Sequence, residues 1–276
     1  MEIFTGSFNI FLIQPLANGL ILFYKLLGSN LGTAIIGFTL FLRILLTPLT
    51  SPYMQSMKRM KEFEPQLNEL KIKYKDDKTK LMQAQADFYK EKGINPASGC
   101  LPYLFQIIIL IALFNVFTRA LSAGSSIEDF NHLLYSPLKL GAGELLNTRF
   151  LYFDVTKPDV FKLPGVPFPI PGVIILLAAL VQFLSAKMTS PIIQAEKKVA
   201  KTTPGGADDM SVAMQQSMGM TFPLFTIVLG ISFPAGVTLY WLLFSGYQIV
   251  QQYFTSGWGG LAPWVNKFSK VVALQK

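Results

Sequence analysis

Long apolar segments constrain this chain more than any other feature of its sequence. Three of them, at 31–50, 101–121 and 171–188, approach the roughly 20 residues that a helix needs to cross a hydrocarbon core of about 30 Å. A fourth stretch, 211–255, is long enough for two such helices, with the sequence SFPAG at 232–236 as the turn between them. The sequence therefore predicts an all-α membrane protein with five transmembrane helices.

The composition agrees with a lipid environment. Hydrophobic residues make up 51% of the 276 residues and charged residues 14%, whereas a soluble domain of this length needs a more highly charged surface. The start of the chain has neither the basic region and cleavage site of a secretory signal peptide nor the Arg-rich leader of an organelle import sequence. These features favour a multi-pass protein of the bacterial plasma membrane.

Two interpretations of the N-terminal segment 1–29 are open. Its apolar residues follow helical spacing over 10–27, with Gln14, Asn18 and Lys25 between them. We predict an interfacial amphipathic helix on the extracytoplasmic surface. The alternative is a sixth spanning helix, which the short distance to the next apolar segment disfavours.

The polar segment 53–95 has a different pattern. Its apolar residues recur every three or four positions on both sides of the sequence DDKT at 76–79, and Pro65 should kink the first of the two helices. Gly93 and the Asn-Pro pair at 95–96 are typical of a helix end followed by a new helix start. This pattern predicts a helical hairpin outside the membrane.

The distribution of Lys and Arg determines the predicted orientation. The segment 53–95 carries ten of them, the loop 190–210 with the adjoining Lys187 carries four, and the tail 257–276 carries three, against six on the opposite side. The positive-inside rule places the basic side in the cytoplasm, with the N-terminus outside and the C-terminus in the cytoplasm.

The predicted order is an interfacial helix at 1–29, a first span at 30–52, the cytoplasmic hairpin at 53–95, a second span at 96–121, an extracytoplasmic loop at 122–169, a third span at 170–189, a cytoplasmic loop at 190–210, a fourth span at 211–232, a fifth span at 234–256 and a cytoplasmic tail at 257–276.

Arg43 interrupts an otherwise apolar span, where a charge is costly and points to a function. The alternative is that its long side chain extends to the cytoplasmic headgroups. Thr39, Arg43 and Thr47 lie four residues apart and share one helix face. Polar residues of the other spans also gather toward the cytoplasmic side, among them Gln106, Gln182 and Ser185. A polar cavity open to the cytoplasm and closed outward would satisfy these groups, with ordinary hydrogen bonds between helices as the alternative.

Residues for covalent chemistry are missing from the predicted spans. The spans contain no Asp, Glu or His, and the single histidine, His132, lies in the outer loop, where we expect no metal binding. The sequence has no phosphate-binding loop and no Ser/His/Asp arrangement. We therefore expect a protein that is not an enzyme and that uses no cofactor or metal. A small transporter or channel, and an assembly scaffold that does not insert its partners, are rival function classes.

Lys58, Arg59 and Lys61 form a basic cluster at the membrane end of the predicted hairpin. Anionic lipid headgroups are the expected partner of this cluster. A client protein or ribosomal RNA is the alternative, and no direct DNA binding is expected.

Three stretches of the sequence carry a resemblance to a known family. They lie within 31–255 and read LFLRILLTPLTSPYMQSMKRM, NPASGCLPYLFQIIILIALFNVF and TFPLFTIVLGISFPAGVTLYWLLFSGYQIVQQYF. By these motifs the chain resembles the YidC family of membrane protein insertases, in a short bacterial form without the large periplasmic domain of some members. The resemblance implies five core helices, a cytoplasmic hairpin and a hydrophilic groove that is open to the cytoplasm.

The same resemblance implies roles for individual residues. Arg43 resembles the arginine of the groove, Gln182 a groove glutamine of the third span, and Trp241 the tryptophan of the last span. The implied function is to receive nascent hydrophobic segments in the groove and to release them sideways into the bilayer, alone or with the Sec translocon. Nascent membrane proteins are the implied substrates, and the Sec translocon, the signal recognition particle receptor and the ribosome are the implied partners.

Overall fold

The computed structural model describes residues 6–74, 77–93, 101–121, 130–141, 144–189 and 221–273, which are mainly helical. The helices are α1 (Gly6–Leu26, π-helical over Asn9–Ile13), α2 (Leu31–Glu62), α3 (Glu64–Lys73), α4 (Lys78–Glu91), α5 (Leu101–Leu121), α6 (Val173–Thr189), α7 (Thr221–Gly230), α8 (Ala235–Ser256) and α9 (Ala262–Ala273). Between α5 and α6 the described residues form two antiparallel strand pairs, β1 (Arg149–Phe150) with β2 (Phe153–Asp154) and β3 (Val160–Phe161) with β4 (Ile170–Pro171).

Apolar helices dominate the described chain, as the predicted fold class requires. By length and composition, Gly6–Leu26 and Leu31–Thr50 could each cross a membrane, and the shorter apolar helices are Ile107–Phe117, Val173–Met188 and Thr221–Gly230. The predicted loop 190–210 and the first half of the predicted fourth span, 211–220, lie outside the described residues. The number of spans therefore stays a prediction. The structure confirms that the described chain is mainly helical and that its helices include apolar ones.

The chain divides into two compact units. The first unit comprises Met1–Leu46, Tyr103–Leu180 and Leu224–Ser245, and the second comprises Thr47–Pro102, Val181–Pro223 and Gly246–Lys276. Each unit therefore contains one part of α2, one part of α6 and one part of α8.

Helix α1 packs into the core of the first unit. Its residues Ile13, Ala17 and Ile21 are fully buried in one hydrophobic cluster with residues of α2, α5 and α8. Gly19 permits a close contact with α2, because a side chain at this position would collide with the ring of Phe38. The predicted helical spacing of this segment thus produces one face that contacts protein.

The opposite face of α1 is also apolar. Phe11 and Leu26 are largely exposed, whereas Asn18 is only 4% exposed. The Asn18 amide donates to the Leu133 carbonyl at 2.9 Å and its oxygen accepts from the Tyr135 N–H at 2.7 Å. The exposed face of α1 is therefore suited to lipid contact, and its interfacial placement stays a prediction.

The described part of the predicted outer loop, 122–169, caps the starts of two helices with backbone carbonyls. The Asn147 carbonyl accepts from the first N–H of α2 at 2.9 Å, and the carbonyls of Val155 and Lys157 accept from Gly236 and Ala235 at 2.8 Å. The first N–H groups of a helix have no partner within that helix. The described part of the loop is therefore a folded element that completes α2 and α8.

Asp159 joins the same loop to α6. This buried residue accepts hydrogen bonds at Oδ2 from the Ile174 N–H at 3.0 Å and from the Tyr152 hydroxyl at 2.7 Å, and its carbonyl accepts from the Gly172 N–H at 2.7 Å. A carboxylate at a helix N-terminus stabilises it by capping and by the helix dipole. Burial of the hydroxyl and its bond to Asp159 raise the pKa of Tyr152 to about 12.

In the second unit α3 and α4 pack as an antiparallel hairpin. Phe63 lies just before α3 and Phe88 lies near the end of α4. Their rings are edge to face with centroids 5.9 Å apart, and Leu67 and Leu81 are buried. The break between α2 and α3 places Pro65 in the first turn of α3, where its missing N–H removes no helical bond. The interruption expected at Pro65 is therefore present.

Helix α9 contacts the end of α6 in the second unit. The Lys187 ammonium lies 3.0 Å from the ring centroid of Trp264, and Phe183 packs beside the same ring. Gly259 has a positive φ, and a side chain there would collide with the Met188 carbonyl. The tail after α8 thus begins with a compact turn and continues as a helix.

Candidate substrate groove

Arg43 lies on the buried face of α2. It is 8% exposed, whereas its neighbour Ile44 is 62% exposed. Its Nη2 donates to the Phe244 carbonyl at 2.8 Å, and the guanidinium carbon lies 3.4 Å from the centroid of the Phe244 ring. The guanidinium is therefore turned toward α8, whereas the snorkelling alternative would extend it along α2 toward lipid headgroups.

These contacts lower the cost of burying the Arg43 charge. A desolvated guanidinium over an aromatic face gains about 2 kcal/mol, and the Phe244 carbonyl satisfies one of its N–H donors. Neither contact neutralises the charge, since the ring and the carbonyl are uncharged. The two contacts thus hold the Arg43 side chain in place against α8.

In the first unit α2 and α8 are parallel neighbours. A side chain at Gly236 would come within 3.1 Å of Ile35, and Arg43 contacts Phe244. A residue later in α2 contacts a residue later in α8, so the two helices run in the same direction. Two parallel spanning helices need an odd number of crossings between them, which agrees with the predicted second, third and fourth spans.

The same direction holds in the second unit. The Thr47 hydroxyl lies 2.8 Å from the Tyr247 hydroxyl, and Gln251 Nε2 donates to the Thr50 hydroxyl at 3.1 Å. The face of α2 that carries these threonines is therefore directed at α8. Its polar groups are engaged in hydrogen bonds between helices.

A double-mutant cycle tests the Thr47–Tyr247 bond. For Thr47→Val and Tyr247→Phe we expect a coupling free energy of about 0.6 kcal/mol, the average for hydrogen bonds between membrane helices. Reversible unfolding of the full chain in mixed micelles measures this value. The control pair, Thr47→Val with Tyr253→Phe, should be additive, because Tyr253 is exposed and lies six residues further along α8. Additivity in both pairs would contradict the bond.

Thr39 lines a small pocket in the first unit. The lining residues are Leu20, Ile35, Phe38, Thr39, Leu42, Leu113, Phe117 and Tyr240. Six of the eight lining residues have purely apolar side chains, so the pocket suits an apolar side chain better than a charged group.

Trp241 belongs to an aromatic cluster in the first unit. Its ring stacks on Phe233, with centroids 6.3 Å apart, and Phe233 lies 4.7 Å from Phe114. Trp241 and Phe244 are three residues apart on α8, so their side chains leave adjacent positions of the helix. Trp241 is therefore buried one turn from the ring that holds Arg43.

Gln182 and Ser185 lie on α6, three residues apart and thus on one helix face. Ser185 is buried and Gln182 is half-buried. The side chain of Gln106, the remaining predicted groove amide, lies outside the described residues. The face of α6 that carries Gln182 and Ser185 is therefore turned at least partly toward protein.

The predicted groove residues fall into both units of the fold. Thr39, Arg43 and Trp241 belong to the first unit, and Thr47, Gln182 and Ser185 belong to the second. Their convergence on one groove stays a prediction.

The basic cluster near the end of α2 is exposed where it is described. Lys58 and Arg59 are exposed, and the side chain of Lys61 lies outside the described residues. Exposed cations on a helix are accessible to lipid headgroups or other anions. The contact itself stays a prediction.

Sequence reasoning missed Phe244 and Tyr247, the partners of Arg43 and Thr47. The signal for them is the spacing of Phe244, Tyr247 and Gln251, which places all three on one face of α8. A metal site has no support in the described part of the chain, where no group of three His, Cys, Asp or Glu side chains is placed to hold an ion.

Comparison with known proteins gives a match that includes the three stretches quoted above. The family model of the 60Kd inner membrane protein matches residues 22–258. The chain is 31% identical over 252 residues to the membrane protein insertase YidC of Syntrophobacter fumaroxidans, which covers 89% of this chain and 38% of that protein. It is 28% identical over 257 residues to the membrane protein insertase YidC 2 of Bacillus anthracis, with 92% of this chain and 82% of that protein covered.

A third relative has a length close to that of this chain. The membrane protein insertase YidC of Fusobacterium nucleatum is 31% identical over 226 residues, which cover 82% of this chain and 86% of that protein. The chain thus spans less than half of the first relative and most of the other two. Because the family model matches most of the chain and this relative is similar over nearly its whole length, the chain belongs to the 60Kd inner membrane protein family, the YidC family of bacterial membrane protein insertases.

Proposed function

We propose that this chain is a membrane protein insertase and chaperone, which receives nascent hydrophobic segments in a groove open to the cytoplasm and releases them sideways into the bilayer. The observation that carries the proposal is the buried Arg43, held against Phe244 between two apolar helices. Membership of the family supports the same activity.

Arg43 acts on the polar part of a client. A carboxylate that leaves water loses its hydration, at a large cost in free energy. Opposite unit charges 4 Å apart attract by about 4 kcal/mol at an effective dielectric constant of 20, which offsets part of this cost. Arg43 therefore lowers the barrier for a short acidic or polar tail that must follow its helix across the membrane.

The apolar part of a client has a separate path along α2. Leu40, Ile44 and Leu45 are exposed on this helix, while Thr39 and Arg43 are buried on another face. The exposed face offers continuous apolar contact for a segment that moves into lipid. A client segment that is released sideways into the bilayer moves along this face of α2.

The proposed setting is the bacterial plasma membrane, with the N-terminus outside and the C-terminus in the cytoplasm. Nascent membrane proteins are the substrates, delivered with the help of the ribosome, the signal recognition particle receptor or the Sec translocon. Lys58 and Arg59, exposed near the end of α2, bind anionic lipid at the cytoplasmic surface.

Reconstitution of the purified chain in liposomes tests the function. With a labelled small membrane protein as client, we expect fragments that resist added protease because they have crossed the bilayer. Ion flux without protected fragments would indicate a channel or transporter. Client binding without protection would indicate a scaffold, and either result contradicts the proposal.

A further inference from the structure

The β3–β4 hairpin, residues 160–171, exposes apolar side chains at its turn. Its strands pair Val160 with Pro171 and Phe161 with Ile170. Leu163 and Phe168 follow and precede these pairs and are 53% and 65% exposed. Large apolar side chains that are exposed together on a short hairpin indicate a surface that contacts something other than water.

The backbone of this turn has few N–H groups that would lose a hydrogen bond to water in an apolar environment. Pro164, Pro167, Pro169 and Pro171 have no N–H group, and the Val166 N–H is bonded within the turn to the Leu163 carbonyl. Each unbonded N–H that enters lipid costs several kcal/mol. Transfer of this turn from water into lipid therefore costs less free energy than transfer of an ordinary loop.

The hairpin is fixed to the beginning of α6. Asp159, which precedes β3, is bonded to Gly172, Ile174 and Tyr152. A side chain at Gly172 would collide with the Asp159 carboxylate. This connection holds the hairpin at the beginning of α6, which is an apolar helix and the third predicted span.

The exposed surface continues from the hairpin onto α6. Val173, Leu176 and Leu177 are exposed on the first turns of the helix, which belongs with the hairpin to the first unit. These side chains face lipid if α6 spans the membrane. The exposed apolar residues of the hairpin are thus an extension of a lipid-facing surface.

The charge of the hairpin suits phospholipid headgroups. Lys162 is the single charged residue between Val160 and Ala186 in the sequence, and its side chain is exposed. Asp159, the nearest acidic residue, is buried against α6. An exposed cation beside apolar side chains, without an exposed carboxylate on the hairpin, complements a phosphate above acyl chains.

We propose that the β3–β4 hairpin is a membrane-interface anchor, in which Leu163 and Phe168 insert among the phospholipid acyl chains beside α6 and Lys162 binds the lipid phosphate. The anchor holds the start of the third predicted span at a fixed depth. It also places a wedge of bulky side chains in the leaflet at that end of α6.

A depth measurement on the full chain tests the anchor. Cys100, the single cysteine, is first replaced by Cys100→Ser, and Phe168→Cys then carries an environment-sensitive fluorophore. In nanodiscs made of phosphatidylcholine and phosphatidylglycerol, both faces of the bilayer are accessible to a soluble quencher. We expect several-fold stronger quenching by spin-labelled acyl chains than by iodide. The matched control, Glu144→Cys on an exposed part of the same loop, should show the opposite order.

Two further measurements keep the result interpretable. Leu163→Cys, labelled in the same way, replaces Phe168→Cys if the latter disturbs folding, and should give the same lipid-borne quenching. Lys162→Gln should shift the Phe168→Cys probe toward water, and the shift should be larger in discs that contain phosphatidylglycerol than in discs of phosphatidylcholine, whose phosphate is balanced by choline. Iodide quenching at 163 and 168 equal to that at 144 would overturn the anchor and indicate a surface for a protein partner.

Discussion

Replacing Arg43 with alanine is expected to slow the insertion of clients with acidic tails about tenfold, which corresponds to about 1.4 kcal/mol of activation free energy. The variant removes a cation that is buried beside Phe244, so a carboxylate in transit loses its Coulombic partner. Clients whose tails carry no charge should insert at nearly the normal rate. The measurement is the rate of protease protection in liposomes for two matched clients that differ at the acidic positions alone.

Arg43→Lys is the control for this experiment. It keeps the charge but loses the planar group that stacks on Phe244 and donates to its carbonyl. We expect this variant to lie between the original chain and Arg43→Ala for acidic clients. Equal losses for acidic and neutral clients in Arg43→Ala would contradict the electrostatic role and indicate that Arg43 supports the structure alone.

Gly172→Ala is expected to lower the free energy of unfolding by about 2 kcal/mol, within the range for overpacking a buried site. An added methyl group would collide with the Asp159 carboxylate. That carboxylate cannot move aside without losing its bonds to Ile174 and Tyr152. Unfolding of the full chain in mixed micelles measures the effect.

Two variants separate the collision from a general effect of alanine. Gly141→Ala, in the same loop, meets no atom closer than 3.6 Å and should change stability by less than about 0.5 kcal/mol. In an Asp159→Ala background, Gly172→Ala should have a much smaller effect, because the colliding group is gone. An undiminished effect in that background would contradict the proposed contact.

Apolar segment length and helical spacing predicted much of the fold. The interruption at Pro65 and the helix at 235–256 follow from residue chemistry that is local in sequence. Asn18 could not be interpreted in this way. The pattern placed it among the polar positions of an amphipathic helix, but it is buried and bonded to the outer loop, which lies more than a hundred residues away.

The site was predictable in part for the same reason. The charge of Arg43 in an apolar segment marks it as a candidate residue from the sequence, because the cost of the charge depends on the span alone. Its contact with Phe244 depends on which helix lies beside α2, and the sequence of α2 carries no information about that. The folded outer loop was not predicted, since its short strands and carbonyl caps have no strong periodicity.

The caps of α8 have a consequence for the biogenesis of the protein itself. The carbonyls of Val155 and Lys157 are made long before Ala235 and Gly236, the residues whose N–H groups they accept. At about 5–20 residues per second, the ribosome needs several seconds to synthesise the chain between them. The loop is therefore made well before the helix that it caps, so the first unit is completed only when the fifth predicted span has been synthesised. The chain thus passes through a stage of its own synthesis in which the two carbonyls of this loop do not yet have the helix that they cap.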